Sequence, residues 1–159
     1  MEIVNVVMLN YYQQGEMMPR KIYETEQDRK NEKKVADYLQ KIWKCKCKKL
    51  SYKDIVDYAV TRDNLILSWV EIKCRKISYN YKPFYMISMN KINNGRVLAA
   101  QKEKPFLLVV KFTDGLYVYK DKGETHILKW GGINKKYIRD EQDREPCYLI
   151  DTDLFQKIQ

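Results

Sequence analysis

The sequence predicts an α/β domain with a mixed sheet, in helix–strand–strand–strand–helix–strand order. Three stretches carry that reading. Thr25 to Trp43 keeps its apolar residues on one helical stripe. Ile55 to Val70 reads as two apolar strands around a short polar turn, Arg62-Asp63-Asn64. Phe106 to Phe112 is almost wholly apolar, as expected of a central strand covered on both faces.

Taken in order, Glu2 to Leu9 is apolar and β-branched and predicts a short strand. Asn10 to Ile22 contains Gly15 and Pro19 and predicts a loop. Thr25-Glu26-Gln27-Asp28 has the form of a capping box, with Thr25 as N-cap and Asp28 reaching back. The helix then runs to about Trp43, with Val35, Ala36, Leu39, Ile42 and Trp43 on one stripe. Glu32 shares that stripe, and a carboxylate on the buried side of a helix needs compensation. Lys44 to Lys48 alternates lysine and cysteine, as in a half-buried strand whose lysines either guard an edge or meet phosphates. Lys49 to Asp54 turns the chain into the hairpin.

The hairpin carries the chemistry. Its first strand holds Ile55-Val56 and Tyr58 to Thr61, its second Leu65 to Val70, and into or beside them fall Asp57, Glu71 and Lys73. Charges in β-branched runs are costly unless paired or bound to a metal. Glu71 and Lys73 are two apart and leave the same face of one strand. The place of Asp57 depends on register. A two-residue turn at Asp63-Asn64 sets it opposite Val70, on the other face. A three-residue loop sets it opposite Trp69, diagonal to Glu71. In the second case two carboxylates and one ammonium share a face, a donor set for a hard divalent cation.

Beyond Arg75, Tyr79, Tyr81 and Tyr85 alternate around Pro83, predicting a loop and then a short strand. Aromatics among basic residues can stack on splayed bases, although core packing is commoner. Ser88 suits an N-cap for a helix from Met89 to about Gln101, which Asn93-Asn94-Gly95 weakens and which carries Lys91 in its first turn. Pro105 opens the strand Phe106 to Phe112, and Thr113-Asp114-Gly115 turns it into a partner, Leu116 to Tyr119. From Asp121 the signals thin. Gly131-Gly132 and Pro146 mark turns, Lys135 to Glu145 is highly charged, and Leu149-Ile150 with Leu154-Phe155 are expected to dock the tail.

The 159 residues predict one domain over 1–159, with a core at about 25–119 and a C-terminal extension, 120–159. A net charge of +9, from 30 basic and 21 acidic residues, favours a polyanionic partner, nucleic acid first. The sequence has no long apolar run and no secretory leader pattern, so a cytoplasmic protein without membrane contact is expected. Four cysteines in that setting argue against disulfides. The spacing of Cys45 and Cys47 is C-x-C, with no second pair, which argues against zinc. The lone His126 offers no triad, and no phosphate-cradling glycine loop occurs.

Asp57, followed after a gap by Glu71-Ile72-Lys73, resembles the D…ExK signature of the PD-(D/E)xK nuclease superfamily. Val56 stands where the family name has proline. The segments EIKCR, SMNK and PFLLVVKFTDGL are similar to those of small phage-encoded members, and archaeal-type Holliday junction resolvases are more distantly similar. The resemblance implies a restriction-endonuclease-like αβββαβ core. It implies an endonuclease that hydrolyses phosphodiester bonds, DNA being the expected substrate and branched or junction DNA within range, leaving 5′-phosphate and 3′-hydroxyl ends. It also implies Mg²⁺, with Mn²⁺ as substitute, held by Asp57, Glu71, the backbone carbonyl of Ile72 and, on the first helix, Glu32. Asp28, one turn earlier, is the alternative acid. Lys73 is expected to position or deprotonate the attacking water. Arg75, Lys76, Ser88 and Lys91 are candidate nucleic-acid contacts. For Glu32 the structural alternatives are an ion pair with Lys73 or Arg75, or a place at the helix edge. The rival function is a nucleic-acid-binding module that keeps the fold without cutting. A homodimer would fit cleavage of both strands.

Overall fold

The computed structural model of the chain describes residues 23–51, 56–133, 136 and 138–159, with residue 142 in backbone alone. The strand and loop expected over 2–22, and residues 52–55 at the hairpin entry, lie outside these.

Helix α1 (Glu26–Trp43) begins with the expected capping box. The Asp28 N–H donates to Thr25 Oγ1 at 3.1 Å, and the Thr25 N–H donates to Asp28 Oδ2 at 2.9 Å. It buries Val35, Ala36 and Leu39 and ends at Lys44 in the left-handed region. Three strands follow, β1 (Lys46–Lys49), β2 (Tyr58–Arg62) and β3 (Leu65–Cys74). In β1, Lys46 and Lys48 are exposed and Cys47 is half-buried, which is the alternation the sequence carries. Next come β4 (Phe84–Ser88), α2 (Met89–Lys102), β5 (Phe106–Phe112), β6 (Gly115–Lys120), β7 (Ile127–Trp130), β8 (Pro146–Asp151) and β9 (Phe155–Lys157).

The predicted order of helices and strands holds, with β4 interposed as part of a second sheet. The main sheet runs β1-β2-β3-β5-β6-β9. Only β3 and β5 within it are parallel, so it is mixed, and β5 is interior as its apolar run requires. One face packs on α1 through Tyr58, Val60, Val70, Ile72 and Val109. The other packs on α2 and the second sheet, β4-β8-β7, through Ala59, Trp69, Leu108 and Val110. Of that second sheet the sequence marks β4, as the short strand after Pro83, but not its pairing with β8 and β7. In the tail Ile150 and Phe155 are buried, but Leu154 is exposed. Among the described residues no helix is long and apolar enough to cross a membrane.

Two sequence expectations need correction. Ser88 is the N-cap residue of α2, as expected, but its side chain makes no capping bond. Its hydroxyl donates to Glu145 Oε2 at 2.7 Å, so it ties the helix entry to the start of β8 instead. The hairpin takes neither register weighed above. Its turn is the two-residue Asp63-Asn64, both at positive φ (49° and 64°), which sets Arg62 opposite Leu65. A bulge at Leu67 then shifts the register by one, so that Ala59 faces Trp69 and Tyr58 faces Val70. One further residue brings Asp57 level with Glu71 itself.

Gly95 has a specific packing reason to stand in α2. A Cβ there would lie 2.5 Å from the Phe106 ring, so its absence lets the helix approach β5 closely. Gly95→Ala should therefore destabilise by about 1–3 kcal/mol, despite the better helix propensity of alanine. A urea midpoint at or above that of the parent would contradict this contact.

Candidate active site

Asp57, Glu71 and Lys73 stand on the face of the main sheet that packs against α2. Glu71 is held there by β3, between β2 and the parallel strand β5, and only 1% of it is exposed. Lys73 Nζ lies 2.6 Å from Glu71 Oε1, and Lys91 Nζ, from the first turn of α2, lies 3.0 Å from the same oxygen. Both contacts are ion pairs to one carboxylate oxygen. Glu71 Oε2 is buried with no hydrogen-bond partner among the described residues. Burial opposes ionisation of Glu71, but the two lysines outweigh it and hold the carboxyl below the usual range. Lys73 is likewise opposed by burial and held above its usual value by Glu71 and then Asp57.

Asp57 lies at the open end of the hairpin. Strand β2 stops pairing at Tyr58, so the peptide groups of Ile72 face an edge with no strand on it. The Ile72 N–H donates there to Asp57 Oδ2 at 3.1 Å, which fixes the carboxylate. The Ile72 carbonyl is directed to the same edge. Burial, then the Glu71 charge, pushes the Asp57 carboxyl above the ordinary range, against the pull of Lys73 and Lys49.

Glu32 occupies the other layer, on α1. It is neither at the helix edge nor paired with Lys73 or Arg75. Its carboxylate instead makes an ion pair with Lys49, whose ammonium also lies 4.0 Å from Asp57 Oδ1. Lys49 thus bridges Glu32 and Asp57. Sequence reasoning missed it, since it placed Lys49 in the turn leading to the hairpin, whereas Lys49 is the last residue of β1. Glu32, Ile72, Lys73 and Arg75 line one open cleft of ≈ 400 Å³. Asp28 lines it as well, but its carboxylate is committed to Thr25. Lys76 is exposed beyond the strand end. Ser88, held by Glu145, is not brought to the carboxylates by any contact.

A buried carboxylate oxygen without a partner, beside a second desolvated carboxylate and a free-edge carbonyl, fits a hard divalent cation. Another acidic group fits less well. Asp121, Glu124 and His126 bring ligand atoms within 4.8 Å of one another. Those atoms already bond to Tyr119 Oη, at 2.8, 2.8 and 3.0 Å, and Arg96 clamps Asp121 bidentately. That group is a loop tie around a guanidinium, which already supplies its positive charge. The four cysteines are all free thiols.

The family model described as "Phage putative PDDEXK endonuclease" matches residues 18–158. The chain belongs to that family. The fold of this phage PDDEXK endonuclease family member also has a solved counterpart in Archaeoglobus fulgidus Hjc, a Holliday junction resolvase from an archaeal hyperthermophile. The two are 13% identical, the match covers 81% of this chain and 90% of that one, and the TM-score is 0.50. At that identity the likeness shows the restriction-endonuclease-like fold alone. No curated protein matches the sequence.

The site's electrostatics make a prediction about stability. The folded-state pKa of Asp57 lies above its unfolded value, so its ionised form costs stability once pH exceeds the unfolded carboxyl range. Asp57→Asn keeps an acceptor for the Ile72 N–H and removes the charge. It should raise Tm by a few degrees near pH 7 in EDTA, and the gain should fade as pH drops toward about 4. A lower Tm at neutral pH would show that the carboxylate is stabilising in place.

Proposed function

We propose that the protein hydrolyses phosphodiester bonds in DNA with the help of a divalent cation, Mg²⁺ or in its place Mn²⁺. The observation that carries this reading is the unpartnered, buried Glu71 oxygen beside Asp57 and Lys73. Asp57, Glu71 and the Ile72 carbonyl are the groups that would hold the ion, with Glu32 completing the donor set from the opposite layer. A bound ion would neutralise charge on the scissile phosphate and lower the pKa of a water in its shell.

The chain's own residues divide the remaining work. Lys73, with its ammonium 2.6 Å from Glu71 Oε1, is proposed to serve as a hydrogen-bond donor and positive charge at the site. It orients the attacking water and opposes the negative charge that develops on phosphorus-bound oxygens. Lys91 is proposed to serve the site itself rather than the DNA. Its ammonium balances Glu71 and frees Lys73 to turn toward the substrate. Lys49 keeps Glu32 and Asp57 apart from mutual repulsion and would yield its place when a divalent cation arrives. Arg75 and Lys76 lie on the path of the backbone leaving the site and are proposed as phosphate contacts. The activity is assigned to the cytoplasm. Cutting both strands of a duplex needs two such sites, and a homodimer would supply them.

Mg²⁺ or Mn²⁺ should support cleavage of labelled DNA, and Ca²⁺ should permit binding with little cutting. Full activity in excess EDTA would sink the reading, and salt-sensitive binding without cutting in any metal would favour the non-cleaving module. Lys73→Ala should lower the cleavage rate by at least about 100-fold while DNA affinity changes little. Glu32→Gln should stay folded, cut much more slowly at limiting Mg²⁺, and recover in part with high Mn²⁺. Parental rates at limiting Mg²⁺ would place Glu32 outside the ion's reach.

A further inference from the structure

A second cavity, of ≈ 560 Å³, opens next to the carboxylate cleft. Tyr81, Tyr85 and Trp130 contribute to its walls, together with the cations Arg75, Lys82 and Lys129. Among the described residues no carboxylate lines it. Tyr85 is buried, but Tyr81 is 63% exposed and Trp130 is 61% exposed. Neither of these two rings is needed to fill the core, and each presents a large flat apolar surface to water. Lys82 Nζ lies 5.8 Å from the Tyr81 ring centroid, so a cation and an aromatic face are presented together.

The cavity and the cleft have one wall residue in common. Arg75 lines both it and the cleft that holds Glu32 and Lys73. The Arg75 guanidinium sits over the Tyr85 ring at 5.6 Å from its centroid. Two residues of extended chain separate Arg75 from Lys73, about 7 Å along the backbone.

Aromatic faces beside cations suit one chemistry in particular. An unpaired base has a free face to lay on a ring, and its phosphate meets the lysines. Bases within a duplex are already stacked and offer no face. A second copy of this chain is disfavoured, because it would bring another net charge of +9 to a cavity walled by cations.

We propose that this cavity holds unpaired nucleotides of the strand being cut, with bases on Tyr81 and Trp130 and phosphates on Arg75, Lys82 and Lys129. The substrate is then DNA with a single-stranded branch beside the scissile phosphate. This inference rests on the nuclease reading and narrows its substrate class.

The test uses fluorescence anisotropy in Ca²⁺ with two probes, a blunt duplex and the same duplex carrying an oligothymidine tail. The parent protein should bind the tailed probe at least about tenfold more tightly. The double variant Tyr81→Ala, Trp130→Ala should lose most of that preference and keep its blunt-duplex affinity within about twofold. Trp130→Phe, which keeps a ring, should retain the preference. Equal affinity of the parent for both probes would overturn the proposal, as would a parallel loss on both probes in the double variant. So would a parent dimer that the double variant converts to monomer with the tail preference intact, since the cavity would then be a contact between copies. The two readings fail differently. Tail preference without cleavage in any metal leaves the cavity assignment standing and removes the nuclease, whereas metal-dependent cleavage without tail preference does the reverse.

Discussion

The site depends on one electrostatic arrangement, a carboxylate in the middle of a sheet, almost without solvent, faced by two ammonium groups. Glu71 could not remain ionised there alone, since desolvating a lone carboxylate costs several kcal/mol. Lys73, from the same strand, and Lys91, from the helix packed above it, supply the compensation. This links two distant parts of the chain. Helix α2 must lie close against the sheet for Lys91 to reach, and Gly95 is what permits that closeness at Phe106. The same charges hold the Lys73 ammonium above its usual value, against the burial that would lower it.

The arrangement leaves one carboxylate oxygen of Glu71 without a partner and Asp57 at an unfavourable pKa. A protein selected for stability alone would remove both. Their retention in the middle of an otherwise apolar sheet is the pattern expected where a binding site is kept at the expense of stability. On the opposite layer Glu32 and Lys49 repeat the theme less severely, because water still reaches both side chains.

The fold and the three central site residues were legible because each breaks or obeys a strong local rule. The stripe of Val35, Ala36 and Leu39 obeys helical period, and Phe106 to Phe112 obeys the rule for buried strands. Asp57, Glu71 and Lys73 break the rule against charges in such strands. What stayed hidden depends on tertiary geometry. Lys49 reads as the first residue of a polar turn, and only the folded chain brings it to Glu32 and Asp57. Ser88 has the composition and place of an N-cap, yet its partner is 57 residues away. Of the second sheet the strand around Tyr85 was legible, but Ile127–Trp130 is exposed along its whole length, so no alternation marks it.

The bulge at Leu67 has a consequence for how such sites are encoded. Side chains alternate with a period of two, so each inserted residue inverts the phase of everything beyond it. The tight turn by itself would leave Asp57 out of phase with Glu71, and the bulge restores the phase. The sequence gap between the two acids is therefore a sum of turn length and bulge count, neither of which is fixed by the chemistry. Related hairpins are free to space their acids differently, provided the two carboxylates keep the same parity.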